Sequence, residues 1–106
     1  DNYTSPKDCV KFLESIENNE IAGASQILAY MKEQERRGKI PAGLPEGTMC
    51  ANKTGELEDA EHDAAIVSTD NGDYAICVMS SGLNDTAAAR GKIVEISGLV
   101  YQSVIN

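Results

Sequence analysis

The chain holds no tryptophan, one phenylalanine, one histidine and three prolines in 106 residues. A lone histidine and the lack of any Cys-x-x-Cys spacing argue against a zinc site. Cys9, Cys50 and Cys77 are an odd number and cannot all pair internally, and their apolar neighbours point to buried free thiols. No apolar run approaches the roughly 20 residues needed to span a bilayer. Positive charge is also scarce: nine Lys and Arg face seventeen Asp and Glu, a formal net charge of −8. Such a field repels phosphate backbones and anionic lipid, so neither nucleic acid nor a membrane is an expected partner. A signal peptide is lacking and the chain starts at Asp1 instead of Met, which suggests a processed or truncated product.

What is present is ordinary globular composition, 42% hydrophobic and 25% charged, enough for one small domain over residues 1–106. Ser5-Pro6 reads as an N-cap followed by proline at the first helical position, and Cys9, Leu13 and Ile16 continue as an apolar stripe to about Glu17. Asn18-Asn19 stops that helix. A second helix is predicted from about Ala24 to Arg36, burying Ile27, Leu28 and Met31. The stretch from Ile40 to Gly47 holds two prolines and two glycines and is expected to be irregular.

Strand signals cover Thr48 to Thr54, His62 to Thr69 and Tyr74 to Ser80. Asp70-Asn71-Gly72-Asp73 marks a hairpin between the last two, and Gly55 to Glu61 is expected to form a longer return loop. A final helix, capped by Asn84 or Asp85, carries Ile93, Ile96, Val100 and Val104, with Gly91 and Gly98 inside it. The sum is an α+β fold: two N-terminal helices, a three-stranded antiparallel sheet, and a long C-terminal helix packed on it.

One tripeptide suggests chemistry. Lys53-Thr54-Gly55 combines a point charge, a hydroxyl donor for a carboxylate and a glycine that permits close backbone approach. It is preceded by Lys39-Ile40-Pro41-Ala42-Gly43-Leu44-Pro45 and followed by His62-Asp63-Ala64-Ala65-Ile66-Val67. Together these runs resemble the class A serine β-lactamases, in which a proline- and glycine-rich approach leads into a Lys-Thr-Gly strand and a His-Asp-x-Ala-x-Val-like strand follows. The start, Asn2-Tyr3-Thr4-Ser5-Pro6-Lys7-Asp8, resembles the helix after that family's omega loop.

The resemblance implies the C-terminal portion of a β-lactamase/transpeptidase-like fold. It implies that Lys53 helps set the field around the reacting serine and the substrate carboxylate, and that Thr54 and Gly55 contribute to substrate binding. The backbone N–H of Glu56 would supply half an oxyanion hole. His62 is expected roughly opposite Thr54 on the same face, where many relatives place an arginine near the substrate carboxylate. No cofactor or metal is implied. The substrate of the longer parent would be a β-lactam or a D-Ala-D-Ala-type peptide, in the envelope or outside a bacterial cell.

The nucleophile is missing. No serine has a lysine three residues later, and Thr4-Ser5-Pro6-Lys7 only mimics the spacing of Ser-x-x-Lys. Thr69-Asp70-Asn71 likewise mimics Ser-Asp-Asn from within a turn. Without a serine nucleophile there is no acyl-enzyme, so the chain alone is expected to be inert. Two other readings stand beside the lactamase: a fragment of a D-alanyl-D-alanine carboxypeptidase or transpeptidase, and a non-catalytic binding or assembly module on the same scaffold.

The acidic run Glu56, Glu58, Asp59, Glu61 and Asp63 matches no EF-hand and is expected to be a solvated loop. Asn2, Asn52 and Asn84 begin Asn-x-Thr sequons. By the family's sheet order, Cys50 and Cys77 are separated by a strand. Truncation should leave Tyr74 to Ser80 as an open edge and the last helix short of a partner, favouring self-association through either.

Overall fold

In the computed structural model, residues 4–106 are described. The Asn2 sequon and the Asn2-Tyr3 part of the opening stretch lie outside the described residues. The elements run α1 (Pro6–Glu17), α2 (Ala24–Lys32), a 3-10 turn (Ile40–Gly43), β1 (Met49–Leu57), β2 (Ala60–Thr69), β3 (Gly72–Ser80) and α3 (Thr86–Ile105).

The helix starts follow their caps. Ser5 Oγ accepts from the Asp8 N–H at 3.2 Å, and Pro6 fills the first turn, where a missing N–H costs nothing. Asp85 caps α3 by accepting from the Ala88 N–H at 3.0 Å. Helix α2 is shorter than its periodicity predicts, ending at Lys32 instead of Arg36. The two arginines beyond it are drawn to the sheet: Arg36 Nη1 lies 2.7 Å from Glu56 Oε1, and Arg37 Nη2 donates to the Cys50 carbonyl.

The sheet is an antiparallel meander in the order β1-β2-β3. Both hairpins are tighter than the sequence suggests. Leu57 pairs with Ala60, leaving only Glu58 and Asp59 as the turn, so β1 runs three residues beyond Thr54. The expected solvated loop is therefore strand. Gly55 and the acids argued for a loop, but Glu56 and Glu61 meet cations supplied from outside the strands, and Asp63 is buried with hydrogen-bond partners. In the second hairpin Thr69 pairs with Gly72 across Asp70-Asn71. Gly72 takes φ 115°, so the glycine serves just past the turn.

Strand alternation divides the side chains between two faces. Cys50, Ala65, Val67 and Ile76 join Ile40 of the 3-10 turn and Ile93 of α3 in a core on one face. Helices α1 and α2 cover the other, α1 against β3 and β2 and α2 against β1, with Leu13, Ile16 and Ala24 buried. The sheet is thus sandwiched between helical layers.

Contact between the 3-10 turn and α3 is unusually close. A Cβ on Gly43 would lie 2.3 Å from the Val94 carbonyl oxygen. Ser97 Oγ donates to the Ile40 carbonyl at 2.7 Å, closing the same junction from the helix side. The irregular approach to β1 is thereby fixed to α3.

Candidate functional site

Lys53, Thr54 and Gly55 lie in the middle of β1, whereas the sequence suggested its end. Lys53 is exposed, and its Nζ donates to the Thr54 carbonyl. The register pairs Gly55 with His62 and Thr54 with Asp63. His62 is therefore one position off its expected place, and its side chain shares a face with Gly55 and Lys53, opposite to that of Thr54. The expectation failed because the turn between β1 and β2 is two residues long, and a one-residue change in register reverses every face.

The face carrying Lys53, Gly55 and His62 opens onto a cavity of about 610 Å³ between the sheet and the two N-terminal helices. Asp8 and Phe12 of α1, and Ile27 and Met31 of α2, complete its walls. Ser80 donates its backbone N–H to His62 Nδ1 at 3.3 Å, which leaves Nε2 to carry the proton in the neutral ring. A side chain at Gly55 would meet His62 Cδ2 at 3.6 Å, an ordinary contact. What glycine gives here is an open wall toward the cavity.

Behind the motif, on the α3 face, is a charged cluster. Lys39 is buried, and its Nζ donates to Glu56 Oε2 at 2.9 Å and to the His62 carbonyl at 3.0 Å. A weaker bond reaches the Gly55 carbonyl at 3.4 Å. One ammonium therefore ties β1 to β2 at the Gly55–His62 pair. It also sits 3.0 Å from Glu61 Oε2, whose other oxygen meets Arg90 Nη1.

The Lys39 hydrogen bond holds the Glu56 carboxyl below its ordinary range against the opposing cost of burial, with Thr54 and Arg36 assisting. Burial pushes Glu61 up, but the Lys39 and Arg90 contacts outweigh it and the net direction is down. Neither acid is free to act as a general base.

Asp63 is buried beside this cluster. It accepts from the Ile40 N–H at 2.9 Å, from Asn52 Nδ2 at 3.2 Å and from the Ala64 N–H at 3.0 Å. Burial still raises its pKa, because those bonds offset only part of the lost hydration. Asn52 is 0% exposed and also donates to the Arg36 carbonyl. A glycan cannot be accommodated on a side chain so enclosed, and Asn52 Oδ1 finds no partner among the described residues.

Lys39, Asp63 and Arg90 were not singled out from the sequence as parts of this arrangement. The available signal was the acidic run itself, since five carboxylates in eight positions call for counter-charges if they are not in water. Both motif mimics are occupied structurally: Ser5 is the α1 cap, and Thr69 Oγ1 accepts from the Asn71 N–H in the hairpin. Among the described residues, no group of three or more His, Cys, Asp or Glu converges as metal ligands, and no helix is long and apolar enough to cross a membrane.

The three-stranded antiparallel sheet with helices on both sides has the serine β-lactamase-type fold, as its structural relatives show. The chain superposes on the TLA-1 extended-spectrum β-lactamase with a TM-score of 0.92 at 27% identity, over 99% of this chain and 43% of that one. On PBP-A the TM-score is 0.82 at 28% identity, over 94% of this chain and 39% of that one. The β-lactamase of Sphaerobacter thermophilus DSM 20745 gives 0.90 at 22% identity, over 98% of this chain and 41% of that one, a likeness of fold alone. The chain thus spans about two-fifths of the length of the solved chains it matches. A family model described as the β-lactamase enzyme family matches residues 1–104, and the chain belongs to that family. No curated protein matches it.

Proposed function

We propose that residues 1–106 are the C-terminal segment of a serine β-lactamase that opens β-lactam rings through an acyl-enzyme. The observation that carries this reading is the placement of Lys53, Gly55 and His62 on one sheet face above an open cavity, in a chain of the β-lactamase family. In that reading the rest of the parent supplies the nucleophilic serine on the far side of the cavity. Lys53 contributes positive field to the serine and to the substrate carboxylate.

Thr54 donates its hydroxyl to that carboxylate. Its side chain is buried on the opposite face against Glu56, although Thr54 also borders the cavity. The Glu56 N–H serves as an oxyanion donor, stabilising charge that develops only in the transition state. His62, whose Nδ1 accepts from the Ser80 N–H, offers Nε2–H to the substrate. The isolated chain lacks the nucleophile and turns nothing over.

A second reading has its own support. PBP-A matches at 28% identity, and a mutant of that protein has been solved as an acyl-enzyme complex with penicillin G. A carboxypeptidase or transpeptidase acting on D-Ala-D-Ala peptides would use the same strand and differ in how fast the acyl group leaves. In either reading the parent works in the envelope or outside a bacterial cell.

The test is the parent chain, extended upstream in its source gene and incubated with a chromogenic β-lactam while its intact mass is followed. Rapid colour without a lasting adduct supports the lactamase. A stable acyl adduct with little turnover supports the peptidase. Neither signal removes both and leaves a non-catalytic module on the same scaffold. Lys53→Ala in the parent should slow acylation by about 100-fold or more if the residue acts as proposed.

A further inference from the structure

The three cysteines are free thiols, but their placements differ. Cys50 is buried on the α3 face, packed into the core with Ile40 and Val67. Cys77 projects from β3 on the opposite face, and β2 lies between the two strands that carry them. Cys9 stands in the first turn of α1, the helix that packs against β3. Cys9 and Cys77 line the same open cavity, both half-buried and near enough that the Cys9 thiol helps push up that of Cys77. Thr4 Oγ1 lies 3.7 Å from Cys9 Sγ.

We infer that Cys9 and Cys77 form an oxidisable pair, closing to a disulfide that ties α1 to β3 across the wall of the cavity. Three observations carry this: the two thiols border one cavity, the two parent elements pack on each other, and the cavity opening admits a small oxidant to both sulfurs. Cys50 shares none of them. The inference is independent of the function proposed above.

The oxidant is a small-molecule disulfide, RSSR. Burial, and then the neighbouring Cys9, push the Cys77 thiol up to about 12. It therefore stays protonated near neutral pH, and attack on RSSR begins at Cys9. The Cys9 sulfur bonds to one RS unit, the other leaves as RS⁻ and is protonated, and a mixed disulfide remains. Cys77 then attacks the Cys9 sulfur, the second RS⁻ departs, and the Cys77 proton passes to it. Two protein thiols have been oxidised to one disulfide, and RSSR has been reduced to two RSH.

Bridging residues far apart in sequence removes much of the unfolded chain's freedom. It also fixes the first turn of α1, and with it Asp8 and Phe12 on the cavity wall. The site they border would be narrower and stiffer when oxidised.

The test uses the folded chain, its far-ultraviolet dichroism checked, incubated with oxidised glutathione and analysed by intact mass and non-reducing peptide mapping. The expected product is lighter by about 2 Da and carries a link between the Cys9 and Cys77 peptides. That link should persist in Cys50→Ala and vanish in Cys9→Ser and in Cys77→Ser. Glutathione remaining on Cys9 or Cys77 with no link between them would overturn the inference, as would a link that involves Cys50. The wild-type peptide map decides the matter even where a variant fails to fold.

Discussion

The Asp63 carboxylate accepts the backbone N–H of Ile40 at 2.9 Å, so the middle strand of the sheet holds the start of the 3-10 turn. The same carboxylate accepts from Asn52, the residue directly before Lys53. One buried acid therefore couples the irregular approach segment to the strand that bears the motif.

Asp63→Ala should leave the Ile40 N–H and the Asn52 amide without their acceptor in a dry site, at a cost of about 2–3 kcal/mol in urea denaturation. Asp63→Asn keeps one acceptor and should cost less. The pH dependence separates charge from geometry. Burial raises the Asp63 pKa above its ordinary 3.8. Its contribution is fully present below that unfolded value and falls as pH rises toward the folded one. The wild type minus Asp63→Asn difference in stability should therefore decline from about pH 4 upward. A difference that grew with pH would mean the carboxylate is stabilised where it sits.

Glu61 should behave in the opposite sense. Its folded pKa is lowered, with Lys39 and Arg90 outweighing burial, so its stabilisation is present above the ordinary 4.5 and lost as pH falls through the folded value. Glu61→Gln should flatten the acid limb of the stability profile. It should also destabilise the chain by about 3 kcal/mol near pH 7, the low end for breaking a buried pair, because Lys39 keeps Glu56. Denaturant melts at several pH values would check both; an unchanged acid limb would mean the cluster adds nothing.

The element order and sheet class were legible because their signals are local. Ser5-Pro6 caps α1, Asp85 caps α3, and the Asp70-Asn71-Gly72 run makes the second hairpin. The register of the first hairpin was not, because it depends on counter-charges distant in sequence. Arg36 and Lys39, from the connection after α2, and Arg90, from α3, meet Glu56 and Glu61, and nothing beside those acids announces them. The same blindness moved His62 to the wrong face and hid Lys39 behind the motif. The strand leading into Lys53-Thr54-Gly55 was legible from its own pattern, but the tripeptide gained chemical meaning only through resemblance to a family.

The glycines should divide sharply when replaced by alanine. A Cβ at Gly43 would lie 2.3 Å from the Val94 carbonyl oxygen and 2.9 Å from Ser97 Cβ, so Gly43→Ala must push the 3-10 turn off α3. A loss of about 2–3 kcal/mol is expected, with the Ser97–Ile40 hydrogen bond broken. Gly91, in the same helix, has nothing within 4 Å of where its Cβ would be. Gly91→Ala should gain about 1 kcal/mol from helix propensity alone. Thermal melts of the two variants that moved in the same direction would contradict the close approach at Gly43.

Helix α3 and strand β3 carry the last expectation. Among the described residues β3 has one neighbour, β2, so half of its backbone hydrogen-bonding groups face outward. On α3, Leu99 is 66% exposed and Ile96 42%, an apolar surface on the helix side away from the core. Edge strands and apolar helix faces both seek partners in water. The isolated chain should therefore associate with itself, its weight-average mass rising with concentration in sedimentation equilibrium. Leu99→Glu combined with Ile96→Glu distinguishes the two surfaces. Restored monomer would assign the contact to α3, whereas unchanged association would remove α3 and leave a sheet edge. A monomer at every concentration would mean that neither surface is sufficient, and the expectation would fail.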